Sequence, residues 1–237
     1  MTKRRTFSLV SIAAIAALTA LYFASTQESI AQNDAQHDHA HEHDAANTTI
    51  ASDHPLTQIQ DADKVLGEAD APVTIIEYSS MSCPHCAAFH KELLPHIKTN
   101  YIEKGIVKYT NRAFPLNEPA LRAAMLTKCV DDDKYFTFTN VLFDMQDKWA
   151  FTPAFLEDLK KIATVGGFSP DKFDACMADK TLEDAMITSR QEATEALNIN
   201  ATPTFFINGV ELKGHLTKEG FDAAIAVAQD KAATDKE

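Results

Sequence analysis

Positive charge is in short supply in this chain. Its 237 residues hold 22 Lys and Arg against 34 Asp and Glu, a formal net charge of −12. Residues 1–31 take three of the basic groups and one acid, so the remainder carries 19 against 33, a net of −14. Such a surface repels phosphate backbones, which argues against nucleic acid as a partner. The acids are scattered and read as a solvated surface. Cysteine is scarce as well: Cys83, Cys86, Cys129 and Cys176 are all there is. A structural zinc at Cys83-Pro84-His85-Cys86 would need two further Cys or His ligands at short spacing. Cys129 and Cys176 each stand with no second ligand beside them. No internal repeat is present.

What is there centres on Cys83-Pro84-His85-Cys86. The run Val73-Thr74-Ile75-Ile76-Glu77-Tyr78 before it is apolar and β-branched and reads as a buried strand. After it, Ala87, Phe89/His90 and Leu93/Leu94 fall at helical spacing. A CxxC at a strand-to-helix junction sets its first sulfur at a helix N-terminus. Unpaired backbone N–H groups and the positive dipole end there stabilise a thiolate. Pro84 in the first turn costs no hydrogen bond, and the His85 imidazole offers a further donor. These residues form a dithiol that keeps one sulfur ionised. An inert core pair is the alternative, for which Pro-His is an odd filler.

Lys3-Arg4-Arg5 precedes Phe7–Ala24, an 18-residue run with only Ser8, Ser11, Thr19 and Tyr22 as polar groups, and then Ser29-Ile30-Ala31. This has the form of a secretory signal peptide over 1–31. The same run, left uncleaved, would anchor the protein through residues 7–24. On either reading the rest of the chain crosses the membrane into a compartment where disulfides persist, the periplasm. Residues 32–55 have no apolar periodicity and read as a flexible tether. Within it His37, His39, His41 and His43 are interleaved with Asp38 and Glu42, and His54 follows; this is either a loose metal-binding tract or a polar linker.

From Leu56 the pattern is globular. Strands are expected at Val73–Tyr78, Ile106–Thr110, Thr204–Ile207 and Val210–Lys213, the last two joined by an Asn208-Gly209 turn. The CxxC helix should run to about Lys98, and Asn117-Glu118-Pro119 should open a helical block. Helices are expected over 119–131, 134–147, 153–165, 170–179 and 182–197. Thr217 should cap a last helix reaching about Gln229.

The order β-α-β, helical block, β-β-α, with CxxC opening the first helix and Thr202-Pro203 before the third strand, resembles a thioredoxin fold. The insertion, about 117–198, within a domain over 56–231, resembles the DsbA family of exported thiol-disulfide oxidoreductases. The motifs are Glu77 with Cys83-Pro84-His85-Cys86, Arg112-Ala113-Phe114-Pro115-Leu116, and Ala201-Thr202-Pro203-Thr204-Phe205-Phe206-Ile207-Asn208-Gly209. The resemblance implies an α/β thioredoxin fold with an all-helical insertion between its βαβ and ββα halves. It implies that Cys83 is the exposed sulfur attacked by substrate and Cys86 its buried partner. Pro203 would be cis, with the Thr202 backbone pairing with substrate. Glu77 would be a buried acid beneath Cys86, able to shuttle its proton; an outward-facing strand glutamate is the other reading. Cys129 and Cys176 would form a structural disulfide in the insertion, or remain two buried thiols.

The function so implied is oxidation of reduced secreted proteins by exchange at Cys83–Cys86, with reoxidation by a membrane redox partner and no metal or organic cofactor. Pro84-His85 is the pair of strongly oxidising members. Thr before Pro203 also occurs in isomerase relatives, so isomerase or reductase activity stays open. Isomerases are usually oligomers, and residues 32–55 lack the heptads of a coiled coil. A copper-handling assembly protein using the His tract is a third reading.

Overall fold

The structure, a computed structural model, describes residues 53–214 and 216–234. The signal-like segment, His37, His39, His41 and His43 lie outside the described residues. Five strands form one sheet in the order β1-β3-β2-β4-β5. They are β1 (Val65–Leu66), β2 (Val73–Ser79), β3 (Val107–Ala113), β4 (Thr204–Ile207) and β5 (Val210–Glu211). β2 and β3 are parallel; β1 on β3, β4 on β2 and β5 on β4 are antiparallel. In β2 every residue but Thr74 is buried, as expected of a strand covered on both faces.

Alternate side chains of β2 enter different cores. Val73 and Ile75 pack with Phe89, Leu94, Ile97, Phe205, Phe221 and Ile225 on one face. Ile76 and Tyr78 pack with Phe114, Leu197 and Phe206 on the other. Glu77 shares the phase of Val73 and Ile75, so it points under the CxxC helix. That helical run, α1, spans 84–102 and is not uniform. Phe89–Leu93 and Lys98–Ile102 are π-helical, with α-helical Pro84–Ala88 and Leu94–Ile97 around the first stretch. Pro95 accounts for the first widening. It has no N–H to give Lys91, and its ring crowds that carbonyl.

The insertion comprises α2 (Glu118–Cys129), α3 (Tyr135–Asp144), α4 (Gln146–Trp149), α5 (Phe155–Val165), α6 (Pro170–Ala178) and α7 (Lys180–Leu197). Asn117 caps α2, accepting from the Ala120 N–H at 3.0 Å. The core of the insertion, with Leu126, Leu142, Phe143, Trp149 and Leu159, also takes in Met81, Cys83 and Cys86, so the dithiol sits where insertion and sheet domain meet. The last helix, α8 (Lys218–Thr234), starts at Thr217, whose hydroxyl accepts from the Gly220 N–H at 3.0 Å.

Several boundaries differ from the sequence expectation. α1 runs beyond Lys98 to Ile102, β3 reaches Ala113, α8 reaches Thr234 and β5 stops at Glu211. The helix expected over 134–147 breaks at Met145, whose backbone leaves the helical region at φ −98°, ψ 13°. β1 went unread because two residues show no alternation. His54 belongs to the domain and not to the tether, since its Nδ1 accepts from the Leu56 N–H at 3.1 Å and caps a 3-10 turn at Pro55–Thr57. The Asn208-Gly209 turn forms with φ of 44° and 81°, the left-handed pair this hairpin requires.

Candidate active site

Cys83 is the N-cap of α1, with extended backbone (φ −83°, ψ 120°) and Pro84 in the first turn. Both cysteines are free thiols. Cys83 retains 7% of its surface and Cys86 none, and that difference sets their chemistry. The hydrogen bond from the Cys86 thiol holds the Cys83 sulfur down at about 5, against the opposing effect of burial. The Thr202 side chain and the backbone N–H groups of Cys86 and His85 add to the lowering. Burial pushes Cys86 far up instead, aided by its bond to Cys83 and the nearby Glu77 charge. One sulfur is a thiolate at neutral pH and the other a firmly held thiol.

The loop facing them carries the cis Thr202–Pro203 bond. Cys83 Sγ lies 3.3 Å from the Thr202 carbonyl oxygen, to which its protonated form donates. Beside this contact a groove of about 340 Å³ runs between His85, Phe89 and Glu92 on one side and Thr202, Pro203 and Leu216 on the other. The His85 side chain is exposed, and the group it turns toward Cys83 is its backbone N–H. The His85 imidazole forms part of the groove wall.

Glu77 is fully buried. Its Oε2 accepts from the Tyr109 hydroxyl and from Asn111 Nδ2 at 3.0 Å, and meets His90 Nε2 at 3.1 Å. Its Oε1 has no hydrogen-bond partner among the described residues. The outward-facing reading of Glu77 is thereby overturned: in-register pairing with Asn111 of β3 puts both side chains under α1. Sequence reasoning missed His90, Tyr109 and Asn111 as members of this cluster. It also missed Gln146, whose Nε2 donates to the carbonyls of Met81 at 2.8 Å and Cys83 at 3.0 Å. Gln146 ties the insertion to the CxxC loop from more than 60 positions away, where no local signal exists.

Cys129 and Cys176 are joined by a disulfide with Cα atoms 6.2 Å apart, linking the end of α2 to α6. Among the described residues no group of three or more His, Cys, Asp or Glu could hold a metal ion.

A thiolate-bearing CxxC at a helix start, opposed by a cis-proline loop on an order β1-β3-β2-β4-β5 sheet, defines a thioredoxin-fold dithiol protein. The family model described as Thioredoxin matches residues 59–226. Disulfide bond formation protein D of Bacillus subtilis is 31% identical over 157 residues, covering 63% of this chain and 69% of that protein. A Rickettsia bellii protein, provisionally named a protein-disulfide oxidoreductase, is 31% identical over 176 residues and 74% of this chain. The chain spans 56–66% of the length of that protein and four other rickettsial relatives. The crystal structure of α-DsbA1 from Wolbachia pipientis superposes with a TM-score of 0.71 at 34% identity, covering 77% of this chain and 98% of that one. The chain belongs to the thioredoxin family, in its DsbA-like branch.

Proposed function

We propose that the protein is an exported thiol-disulfide oxidoreductase that works as a dithiol oxidase on reduced secreted proteins. The asymmetry of the pair carries this reading: a Cys83 thiolate stable to about pH 5 beside a buried Cys86 thiol. A stable thiolate is a good leaving group, and it favours the reduced enzyme, so the disulfide form is a strong donor.

A substrate thiolate in the groove attacks Cys83 Sγ. A new S–S bond forms, the Cys83–Cys86 bond breaks, and its electron pair goes to Cys86. Cys86 takes a proton, for which Glu77 is the buried donor. The second substrate thiolate then attacks the substrate sulfur of the mixed disulfide, closing the product disulfide and releasing Cys83 as thiolate. The substrate leaves two electrons on the enzyme, and a membrane redox partner would remove them. The Thr202 backbone lines the path of the bound chain, and His85 stands at its edge. Export, and either cleavage or anchoring through residues 7–24, is supported by Lys3-Arg4-Arg5 and the apolar run after it.

The equilibrium of Cys83–Cys86 with glutathione is the test. An oxidase requires a potential clearly above the glutathione pool, which lies between about −320 and −220 mV. A potential near that of thioredoxin, about −270 mV, would refute the oxidase and favour the reductase reading. Thr202, the residue before Pro203, is the observation that keeps that second reading in view.

A further inference from the structure

His90 is the buried group that the exchange steps above leave without a part. It keeps only 6% of its surface and sits in the π-helical stretch Phe89–Leu93, one turn after Cys86. Its ring stacks on Phe143 with centroids 4.1 Å apart. Nδ1 lies 2.9 Å from Asn140 Oδ1, and Nε2 lies 3.1 Å from Glu77 Oε2. The titratable groups in contact with it are Glu77 from β2 and Tyr109 from β3; Asn111 and Asn140 are the neutral polar neighbours, and Cys86 lies four positions before it on the same helical run.

The hydrogen-bond pattern counts the protons. An amide oxygen only accepts, so Nδ1 carries a proton. Glu77 Oε2 receives the Tyr109 hydroxyl and the Asn111 amide as donors. The Nε2–Oε2 contact then holds one more proton, as imidazolium facing carboxylate or imidazole facing carboxylic acid. Both forms leave the buried pair without net charge, which is the arrangement burial favours. The other oxygen, Oε1, is buried and has no partner among the described residues.

We propose that His90 is a positioning residue that keeps one proton stored on the Glu77–His90 pair, with Glu77 Oε1 as the open oxygen through which that proton passes to Cys86. The inference rests on the thiol-disulfide reading above and deepens it. When Cys86 leaves, an O–H bond of Glu77 breaks and an S–H bond forms on Cys86. Glu77 is left as carboxylate and His90 as neutral imidazole, and the pair stays without that proton until reoxidation. In reoxidation the path runs backward: Cys86 gives its proton to the pair as its sulfur attacks the mixed disulfide with the oxidant.

The test is the rate at which the oxidised full-length protein is reduced by glutathione, expressed per glutathione thiolate, across pH. His90→Gln can still donate from its amide nitrogen to Glu77 but stores no proton; His90→Phe keeps the stack on Phe143 and loses both nitrogens. Wild type should hold a plateau through neutral pH. Both variants should fall about tenfold or more below it at neutral pH, the scale of lost acid–base assistance. They should also lose the plateau, the rate now declining as protons become scarce. Glu77→Gln should match them, and the Glu77→Gln/His90→Gln double variant should be no slower than either single, as expected of groups acting as one unit. The Cys83 titration should stay near 5 in the His90 variants. A His90→Gln protein with the wild-type rate and plateau would overturn the proposal, and so would one slowed equally at every pH, which is what a packing role predicts. A wild-type protein inert toward both glutathione and dithiol peptides would instead overturn the functional reading, and this inference with it.

Discussion

Titrating the reduced protein gives the sharpest check on the site. Cys83 is placed at about 5 against an ordinary 9.0. At pH 7 that means roughly 99% thiolate, where an ordinary thiol would be roughly 1% ionised. The folded value is depressed, so the stability it contributes is complete above the unfolded value and vanishes as pH falls through about 5. At pH 7 only the interval above about 5 counts, an upper figure of ~2.7 kcal/mol. Cys83 keeps part of its surface exposed, and screening reduces this to roughly 1–1.5 kcal/mol. Only the dithiol form gains it, because a disulfide does not titrate. Urea unfolding of reduced and oxidised protein should therefore show the reduced form losing that much relative to the oxidised form between pH 7 and about 4. The cross-link itself contributes equally at every pH, so the slope isolates Cys83. Ultraviolet thiolate absorbance on the same samples should break near 5. A break near the ordinary value, or first alkylation at Cys86 in acid, would refute the assignment of roles.

Cys86→Ser should accumulate mixed disulfides through Cys83 with substrates supplied in their disulfide form, the Cys83 thiolate attacking and no Cys86 thiol present to release them, seen as adducts on non-reducing gels; free turnover in that variant would contradict the mechanism. Thr202→Val removes a side-chain contribution to the Cys83 thiolate, so its titration should move upward and the protein should become less oxidising against glutathione. Gln146→Leu leaves the Met81 and Cys83 carbonyls without their buried donor, costing about 1–3 kcal/mol in urea unfolding. Cys129→Ala/Cys176→Ala opens a link across 47 positions worth ~4 kcal/mol in the chain-entropy account. At this domain size that is a melting shift of roughly 8–16 °C. Exchange should survive it below the new melting temperature; complete loss of exchange in the folded variant would make the pair part of the electron path.

The parts of the site that could be read from sequence are those whose chemistry demands local spacing. Cys83 and Cys86 sit two residues apart because one helix turn must bring both sulfurs together. Asn208-Gly209 announces its hairpin because only such residues tolerate positive φ at both positions. Thr202-Pro203 stands directly before an apolar strand. Insertion helices were legible from their breaks and caps, Asn117 most plainly. Met145 was not, since nothing in Asp144-Met145-Gln146 forbids a helix; Gln146 leaves it to reach two carbonyls of the CxxC loop.

The buried cluster was hidden for a different reason. Phe89 and His90 occupy helical spacing on the face toward the core, and a histidine there reads as a packed ring. Its meaning depends on three partners on two other elements: Glu77 of β2, and Asn140 and the Phe143 ring of α3. Their positions follow from strand register and from the insertion folding back over α1, neither of which any short window encodes. Pro95 supplies the one local hint, since a proline inside a helix obliges the preceding turn to widen. That widened turn holds His90. The helix thus accepts a defect at the position where a side chain must turn from general packing to a single carboxylate. An uninterrupted α-helix through residues 84–97 would give up that freedom, so the same proline that weakens the helix supports the polar cluster beneath Cys86.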